Sequence, residues 1–138
     1  MPQAPASNAP REGWWDDKKG NYLVGQSGEF QVDYKYADRN TMVQYRTNGG
    51  TWTDLGGGKD MQGKSATIQA TPGSTVNLRV RNAGEYFTIG NTQNIDNKDH
   101  GQVTKTGNGY RLGIDDWKWD DGDYDDLVLD LTDPKAKG

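Results

Sequence analysis

The chain has 138 residues, a formal net charge of -4 and 31% hydrophobic residues, which suits one domain with a modest core. The negative charge argues against nucleic acid as a partner, because a basic surface supplies most of the affinity for nucleic acids. The chain has no cysteine, so disulfides and thiolate metal sites are excluded. No apolar run approaches the roughly 20 residues of a membrane-spanning helix, so we expect no membrane insertion.

The predicted elements begin after residues 1–13, which are rich in Pro and Ala and are expected to form a flexible leader. Beyond them, apolar and polar residues alternate in short runs, which indicates strands with one buried face. Residues 48–50 (Asn-Gly-Gly) predict a hairpin turn, and residues 56–58 (Gly-Gly-Gly) predict a flexible loop. Residues 91–108 are polar and give no clear element. The predicted strands are 30–36, 42–46, 52–55, 66–70, 76–80, 86–89, 110–114 and 127–131.

These patterns predict an all-β protein, an antiparallel β-sandwich of about eight strands. The predicted domain covers residues 14–133, and the polar residues 134–138 are expected to form a flexible tail. Trp14 and Trp15 end the Pro-rich leader abruptly. We expect these two residues either to cap one end of the sandwich or to belong to a binding surface.

The most informative stretch is residues 115–126, which carry seven Asp and one Lys, so that the rest of the chain is slightly positive. Carboxylates at this density repel one another unless a cation neutralises them. Calcium takes about 6–8 oxygen ligands, whereas zinc and copper favour the Cys and His side chains that this chain almost lacks. We therefore predict a calcium loop at one rim of the sandwich, between the last two strands. The predicted ligands are Asp116, Asp120, Asp121, Asp123, Asp125 and Asp126.

The alternation of Asp121, Asp123 and Asp125 matches the first half of an EF-hand loop, but the second half does not match. Asp126 stands where that loop requires Gly, and Thr132 stands where it requires a bidentate Glu. The flanking segments are predicted strands instead of helices. The EF-hand is therefore rejected.

Residues 120–129 (Asp-Asp-Gly-Asp-Tyr-Asp-Asp-Leu-Val-Leu) resemble the calcium loop of the small fucose/mannose-binding bacterial lectins. They are also similar to the Asp-rich loops of other extracellular bacterial β-sandwich modules, including adhesin segments. In the lectins, two adjacent calcium ions coordinate sugar hydroxyls directly. Trp117 stands where those lectins have a further acidic ligand, for which Asp116 or Asp120 could substitute. The resemblance implies ligand positions at Asp121, Asp123, Asp125 and Asp126. It leaves open whether one or two calcium ions bind and whether the protein forms a homo-oligomer.

Two functions are expected from these features. The first is calcium-dependent carbohydrate binding of a lectin-like kind. In it Trp117 and Trp119, which share one face of an extended segment, would contact a glycan. Packing beneath the loop is the alternative role for both. The second is a structural or adhesive module of a bacterial surface or secreted system, in which calcium only rigidifies the fold. A weak calcium site favours a secreted or extracellular location, where calcium is abundant.

We do not expect an enzyme. The Asp cluster is too dense to single out a catalytic pair, and a chain of 138 residues leaves little room for a deep cleft. His100, with Asp96 and Asp99 nearby, suggests a triad fragment, but no nucleophilic Ser lies in a recognisable elbow. His100 is therefore expected to be a surface-loop histidine.

Overall fold

The computed structural model describes residues 10–90, 94, 99–107, 109–115 and 126–133. These residues form eleven β-strands and one short helix, which confirms the predicted all-β class and exceeds the predicted count of about eight strands. The elements are β1 (Trp14–Asp16), β2 (Asn21–Leu23), β3 (Glu29–Ala37), β4 (Met42–Thr47), β5 (Thr53–Gly57), α1 (Gly58–Met61), β6 (Ser65–Gln69), β7 (Thr75–Asn82), β8 (Glu85–Thr88), β9 (Gly101–Lys105), β10 (Gly109–Ile114) and β11 (Leu127–Thr132).

The strands form two antiparallel sheets that pack as the predicted sandwich. Sheet A has the order β1-β2-β7-β4-β5, and β8 pairs with β7 on the edge that it shares with β2. Sheet B has the order β6-β3-β11-β10-β9. No helix in the described part of the chain is both long enough and apolar enough to cross a bilayer.

The core lies between the sheets and follows from the alternation of apolar residues. In β7, Val76, Leu78 and Val80 are buried while the residues between them are not. The same pattern holds in β3 and β11, whose apolar side chains meet those of β7 across the sandwich. Full burial of one such aliphatic side chain stabilises a fold by about 1.5–3 kcal/mol. The core therefore comes from few but regularly spaced residues.

Strands β1, β2 and β9 were not predicted, because they are short and contain little apolar alternation. Trp15 in β1 is buried in the core, while its neighbour Trp14 is 48% exposed. Trp15 therefore packs in the core, and neither expectation for the pair is tested further. Strand β9 lies at the edge of sheet B, where Val103 is partly buried against the core.

The turn after β4 is confirmed. Asn48 and Gly49 have φ values of 50° and 73°, the positive values that a tight hairpin turn requires. The amide of Gly50 donates to the carbonyl of Thr47 at 2.9 Å. The Asn48 side chain also accepts a hydrogen bond from the amide of Thr75 at 3.0 Å, so the turn is attached to β7.

The prediction of a flexible loop at residues 56–58 is wrong. The first two glycines belong to β5, and Gly58 begins α1. Gly57 and Gly58 are buried, and a Cβ atom on Gly58 would lie 2.9 Å from the Cβ of Ala37. A Cβ on Gly57 would lie 2.3 Å from Oδ1 of Asn40. These glycines allow close packing, which the sequence pattern alone did not distinguish from flexibility.

The two ends of the domain are joined through Asp133. Its carboxylate accepts hydrogen bonds from the Ser27 hydroxyl at 2.9 Å and from the Gly13 amide at 3.3 Å. Burial, and after it the charge of Asp133, raises the pKa of the Tyr22 phenol well above its ordinary value. Pro10 also accepts a hydrogen bond from the Gln26 amide at 3.0 Å. Residues 1–9 of the predicted leader and the whole predicted tail lie outside the described residues.

Substitution of Gly58 by Ala tests this close packing. We expect Gly58→Ala to lower the free energy of unfolding by about 1–3 kcal/mol, because the new methyl group must displace backbone or core atoms. Gly107→Ala is the control, since Gly107 has open space around its Cα and should tolerate a methyl group. Urea denaturation of both variants measures the difference. Equal stability of the two variants would contradict the packing role.

Candidate metal site between strands β10 and β11

The acidic segment, residues 115–126, joins two neighbouring strands of sheet B. Strands β10 and β11 pair from Gly109↔Thr132 to Ile114↔Leu127 without a register shift. The amide of Asp126 donates to the carbonyl of Ile114 at 3.1 Å, which extends the pairing by one step. Directly paired residues of antiparallel strands lie about 4.5–5.5 Å apart, so the segment begins and ends at nearly the same point.

Most of the predicted site lies outside the described residues. The predicted ligands and glycan contacts within residues 116–125 lie outside the described part of the chain, and Asp126 lies inside it. Asp115, which was not among the predicted ligands, is also described. The roles of all the predicted site residues remain predictions, and of these residues Asp116, Trp117, Trp119, Asp120, Asp121, Asp123 and Asp125 lie outside the described part.

Asp126 is held by the connection between β3 and β4. The Asp38 amide donates to the Asp126 carbonyl at 2.8 Å, and Ala37 pairs with Leu127. The Asp38 carboxylate accepts a hydrogen bond from the exposed Tyr36 hydroxyl. Asp38 therefore lies beside the end of the acidic segment, although it is 88 residues away in the chain. The sequence contained no signal for this proximity, because it depends on the pairing of β3 with β11.

Asp115 is held by His100. The prediction that His100 lies in a surface loop is wrong. His100 is 3% exposed instead of lying in a surface loop. Its ring packs on Phe87 with 4.3 Å between ring centroids. Its backbone carbonyl accepts from the Asp115 amide at 2.9 Å, and its Nδ1 lies 2.9 Å from the Asp115 carbonyl oxygen. A carbonyl oxygen only accepts, so Nδ1 carries the proton and donates.

Asp99 supports the same region through the backbone. Its Oδ1 accepts hydrogen bonds from the amides of Gly90 and Gly101, each at 2.9 Å. These contacts connect Gly90, the second residue after β8, to Gly101, the first residue of β9. Asp99 and His100, which in the sequence suggested a fragment of a catalytic triad, thus both form hydrogen bonds with the main chain. Asp96 lies outside the described residues.

A cleft opens near the turn between β1 and β2. It has a volume of about 370 Å³ and is lined by Trp14, Trp15, Asp16, Asp17 and Lys18. The turn ends at Gly20, which is so close to Gly90 that a Cβ on Gly20 would lie 2.1 Å from the Gly90 carbonyl oxygen. The Gly90 amide in turn donates a hydrogen bond to Asp99, the neighbour of His100. The turn between β1 and β2 is therefore connected, through Gly90 and Asp99, to the residue that holds Asp115.

The donors in the acidic segment suit a hard cation. All seven of its Asp side chains offer oxygen, and the one His of the chain donates through Nδ1 to a backbone carbonyl. Calcium prefers oxygen donors of this kind. Within residues 10–90, 94, 99–107, 109–115 and 126–133, no three His, Asp or Glu side chains form a cluster that could hold a metal ion.

Comparison of the chain with protein-family models, with curated proteins and with solved structures gave no match. Function is therefore inferred from the chemistry of the residues themselves.

Replacement of His100 tests how firmly Asp115 is held. We expect His100→Ala to lower the free energy of unfolding by about 2–4 kcal/mol, because it removes a buried ring and leaves the Asp115 carbonyl without its donor. His100→Asn retains a donor near the position of Nδ1 and should recover about 1 kcal/mol of that loss. Urea denaturation compares the variants. Identical losses for Ala and Asn would show that the hydrogen bond contributes nothing.

Proposed function

We propose that this protein is a calcium-binding β-sandwich module that binds carbohydrate in a calcium-dependent, lectin-like manner. The observation that carries the proposal is the in-register pairing of Ile114 with Leu127. This pairing brings together the ends of a twelve-residue segment that contains seven carboxylates. The segment therefore begins and ends at one rim of sheet B.

Electrostatics supports a cation in this loop. Two like charges 4 Å apart repel by about 4 kcal/mol at an effective dielectric constant of 20. Seven carboxylates confined to one closed segment include several close pairs, and a single Lys in the segment cannot neutralise them. Divalent calcium removes this repulsion and is bound by carboxylate oxygens, so binding and folding of the segment are coupled.

The sugar-binding part of the proposal is supported by the aromatic residues within the same segment. Trp117 and Trp119 lie between the first two and the last five Asp residues of the segment. Sugars offer apolar faces that stack on indole rings and adjacent hydroxyls that can bind calcium. The resemblance of residues 120–129 to the fucose/mannose-binding lectins favours the same ligand class. The partner would be a glycan outside the cell, since calcium is abundant there.

A structural or adhesive module is the second candidate, and a specific observation favours it. The two ends of the acidic segment are hydrogen-bonded to His100 on one side and to Asp38 on the other. An ion held in the loop would therefore rigidify the connection between β3 and β4 together with the residues that precede β9. In that case calcium stabilises the fold, and no sugar is needed.

Calcium should stabilise the protein against heat. At a free calcium concentration about 100-fold above Kd, we expect about 2.7 kcal/mol of stabilisation and a rise of several degrees in Tm relative to excess chelator. The double variant Asp123→Asn/Asp125→Asn should lose most of this rise. Asp17→Asn, a change at an exposed residue outside the segment, is the matched control and should retain it. Differential scanning calorimetry measures all three proteins.

Two results would contradict the calcium site. One is an unchanged Tm of the unmodified protein between chelator and millimolar calcium. The other is a calcium response that the double variant retains in full.

Carbohydrate binding should require both calcium and the tryptophans. On a glycan array, we expect binding in calcium that is lost in chelator at a temperature where the fold persists. Trp117→Ala and Trp119→Ala should each weaken the sugar Kd about tenfold or more, which corresponds to about 1.4 kcal/mol, while leaving the calcium-dependent rise in Tm intact. A calcium-dependent Tm with no glycan bound on the array would favour the structural module instead.

A further inference from the structure

The outer face of sheet A carries a second cluster of chemically distinctive residues, whereas the acidic segment joins two strands of sheet B. Alternation in β7 turns Val76, Leu78 and Val80 into the core and leaves Arg79 and Arg81 on the opposite side. Neighbouring strands place further residues beside these arginines. We call this cluster the arginine face and define it by Gln44, Arg46, Trp52, Arg79, Arg81 and Tyr86.

At the centre of the arginine face, Arg79 lies between two aromatic rings. Its guanidinium carbon is 4.3 Å from the centroid of the Trp52 ring and 4.0 Å from that of Tyr86. Arg46 also lies over Trp52, at 4.7 Å. Such cation–π contacts hold guanidinium groups in a fixed plane on a rigid sheet. The guanidinium groups of Arg46 and Arg79 are therefore ordered before any ligand binds.

The polar contacts of these arginines use Nε. Arg79 donates through Nε to Oε1 of Gln44 at 2.7 Å, and the Gln44 amide nitrogen donates in turn to Asp54 at 2.6 Å. Arg46 donates through Nε to Oδ1 of Asn77 at 3.3 Å. These bonds fix the side chains while engaging neither of the two Nη groups. A guanidinium group binds a carboxylate in a bidentate pair either through Nε and one Nη, as Arg111 does with Asp130, or through both Nη groups. The second mode stays open when Nε is already bonded.

The arginine face carries three positive charges, and Asp54, which accepts a hydrogen bond from Gln44, supplies one negative charge beside them. Within the part of the chain that the structure describes, none of Arg46, Arg79 and Arg81 forms a salt bridge. Burial, and to a lesser extent the charges of Arg46 and Arg81, lowers the pKa of Arg79 from its ordinary value, with Tyr86 opposing. An anionic ligand would relieve the mutual repulsion of these three groups.

We propose that the arginine face is a second binding surface, independent of calcium, for a polysaccharide that carries carboxylate groups. The carboxylates pair with the Nη groups of Arg79 and Arg81, and the exposed ring of Tyr86 stacks on the apolar face of a sugar ring. Arg79 and Arg81 are two residues apart on β7, so their Cα atoms are about 6.6 Å apart along the strand. This spacing is comparable to the length of one sugar unit.

A uronate-bearing chain fits this surface better than a nucleic acid does. Single-stranded nucleic acids bind to surfaces with free aromatic faces and many cations. Here the ring of Trp52 is already covered by arginine, the cations are three, and the chain has a net charge of -4. One carboxylate per sugar, with neutral hydroxyls between, matches the few guanidinium groups of this face.

The test uses a defined oligogalacturonate and the same oligosaccharide with its carboxylates methyl-esterified, titrated calorimetrically into the full chain in excess chelator. Chelator removes any calcium-dependent binding, so this result is independent of the function proposed above. We expect the acidic oligosaccharide to bind and esterification to weaken the Kd at least about tenfold, a change of about 1.4 kcal/mol. Binding should also weaken as salt concentration rises.

Arg81→Gln is the principal variant, because Arg81 is exposed and takes no part in the described stack. It should weaken the Kd about tenfold with an unchanged Tm. Arg111→Gln is the matched control: it removes the same charge from the outer face of sheet B, where Arg111 pairs with Asp130, and should leave the Kd unchanged. If Arg81→Gln lowers the Tm, Arg81→Lys, which keeps the charge but loses the guanidinium fork, replaces it in the comparison.

Four results would overturn the proposal. They are no binding in chelator, equal binding of the esterified oligosaccharide, an equal loss in Arg111→Gln, or tighter binding of a single-stranded oligonucleotide than of the oligogalacturonate.

Discussion

The pairing of β10 with β11 is the constraint on which the rest of the candidate site depends. Leu127, Leu129 and Leu131 are fully buried, so the position of β11 is supported by the core of the sandwich. The same burial that holds β11 beside β10 also brings together the two ends of the acidic segment. Repulsion among its carboxylates therefore lowers the free energy of unfolding. A cation that relieves the repulsion must stabilise the folded protein as it binds.

The two ends of the segment are held by different parts of the chain. Asp115 is bonded to His100, which lies just before β9, and Asp126 is bonded to Asp38, which follows β3. Both contacts are made by backbone atoms of Asp115 and Asp126, and their carboxylates take no part in them. These contacts fix the position of the main chain at both ends of the segment.

The fold was predictable where the sequence alternates, and it was not where close packing or long-range contacts decide. All eight predicted strands correspond to observed strands, because alternating burial leaves a direct trace in the sequence. Strands β1, β2 and β9 leave little trace, since a strand of three to five residues at a sheet edge or beside it is too short to show a clear alternation. His100 was placed wrongly because its burial depends on Phe87 and Asp115. The acidic segment was correctly predicted to join two strands, but Asp38 is brought to it only by the topology.

The arginine face shows why net charge describes this protein poorly. The value of -4 is the sum of a strongly acidic segment and a slightly basic remainder. In the fold, the acidic segment begins and ends at one rim of sheet B, whereas the three arginines are on the outer face of sheet A. Salt screens charges beyond about 8–10 Å, so a ligand that approaches either surface experiences mainly the local charge. The negative total therefore does not decide whether carboxylates bind to the locally cationic surface of sheet A.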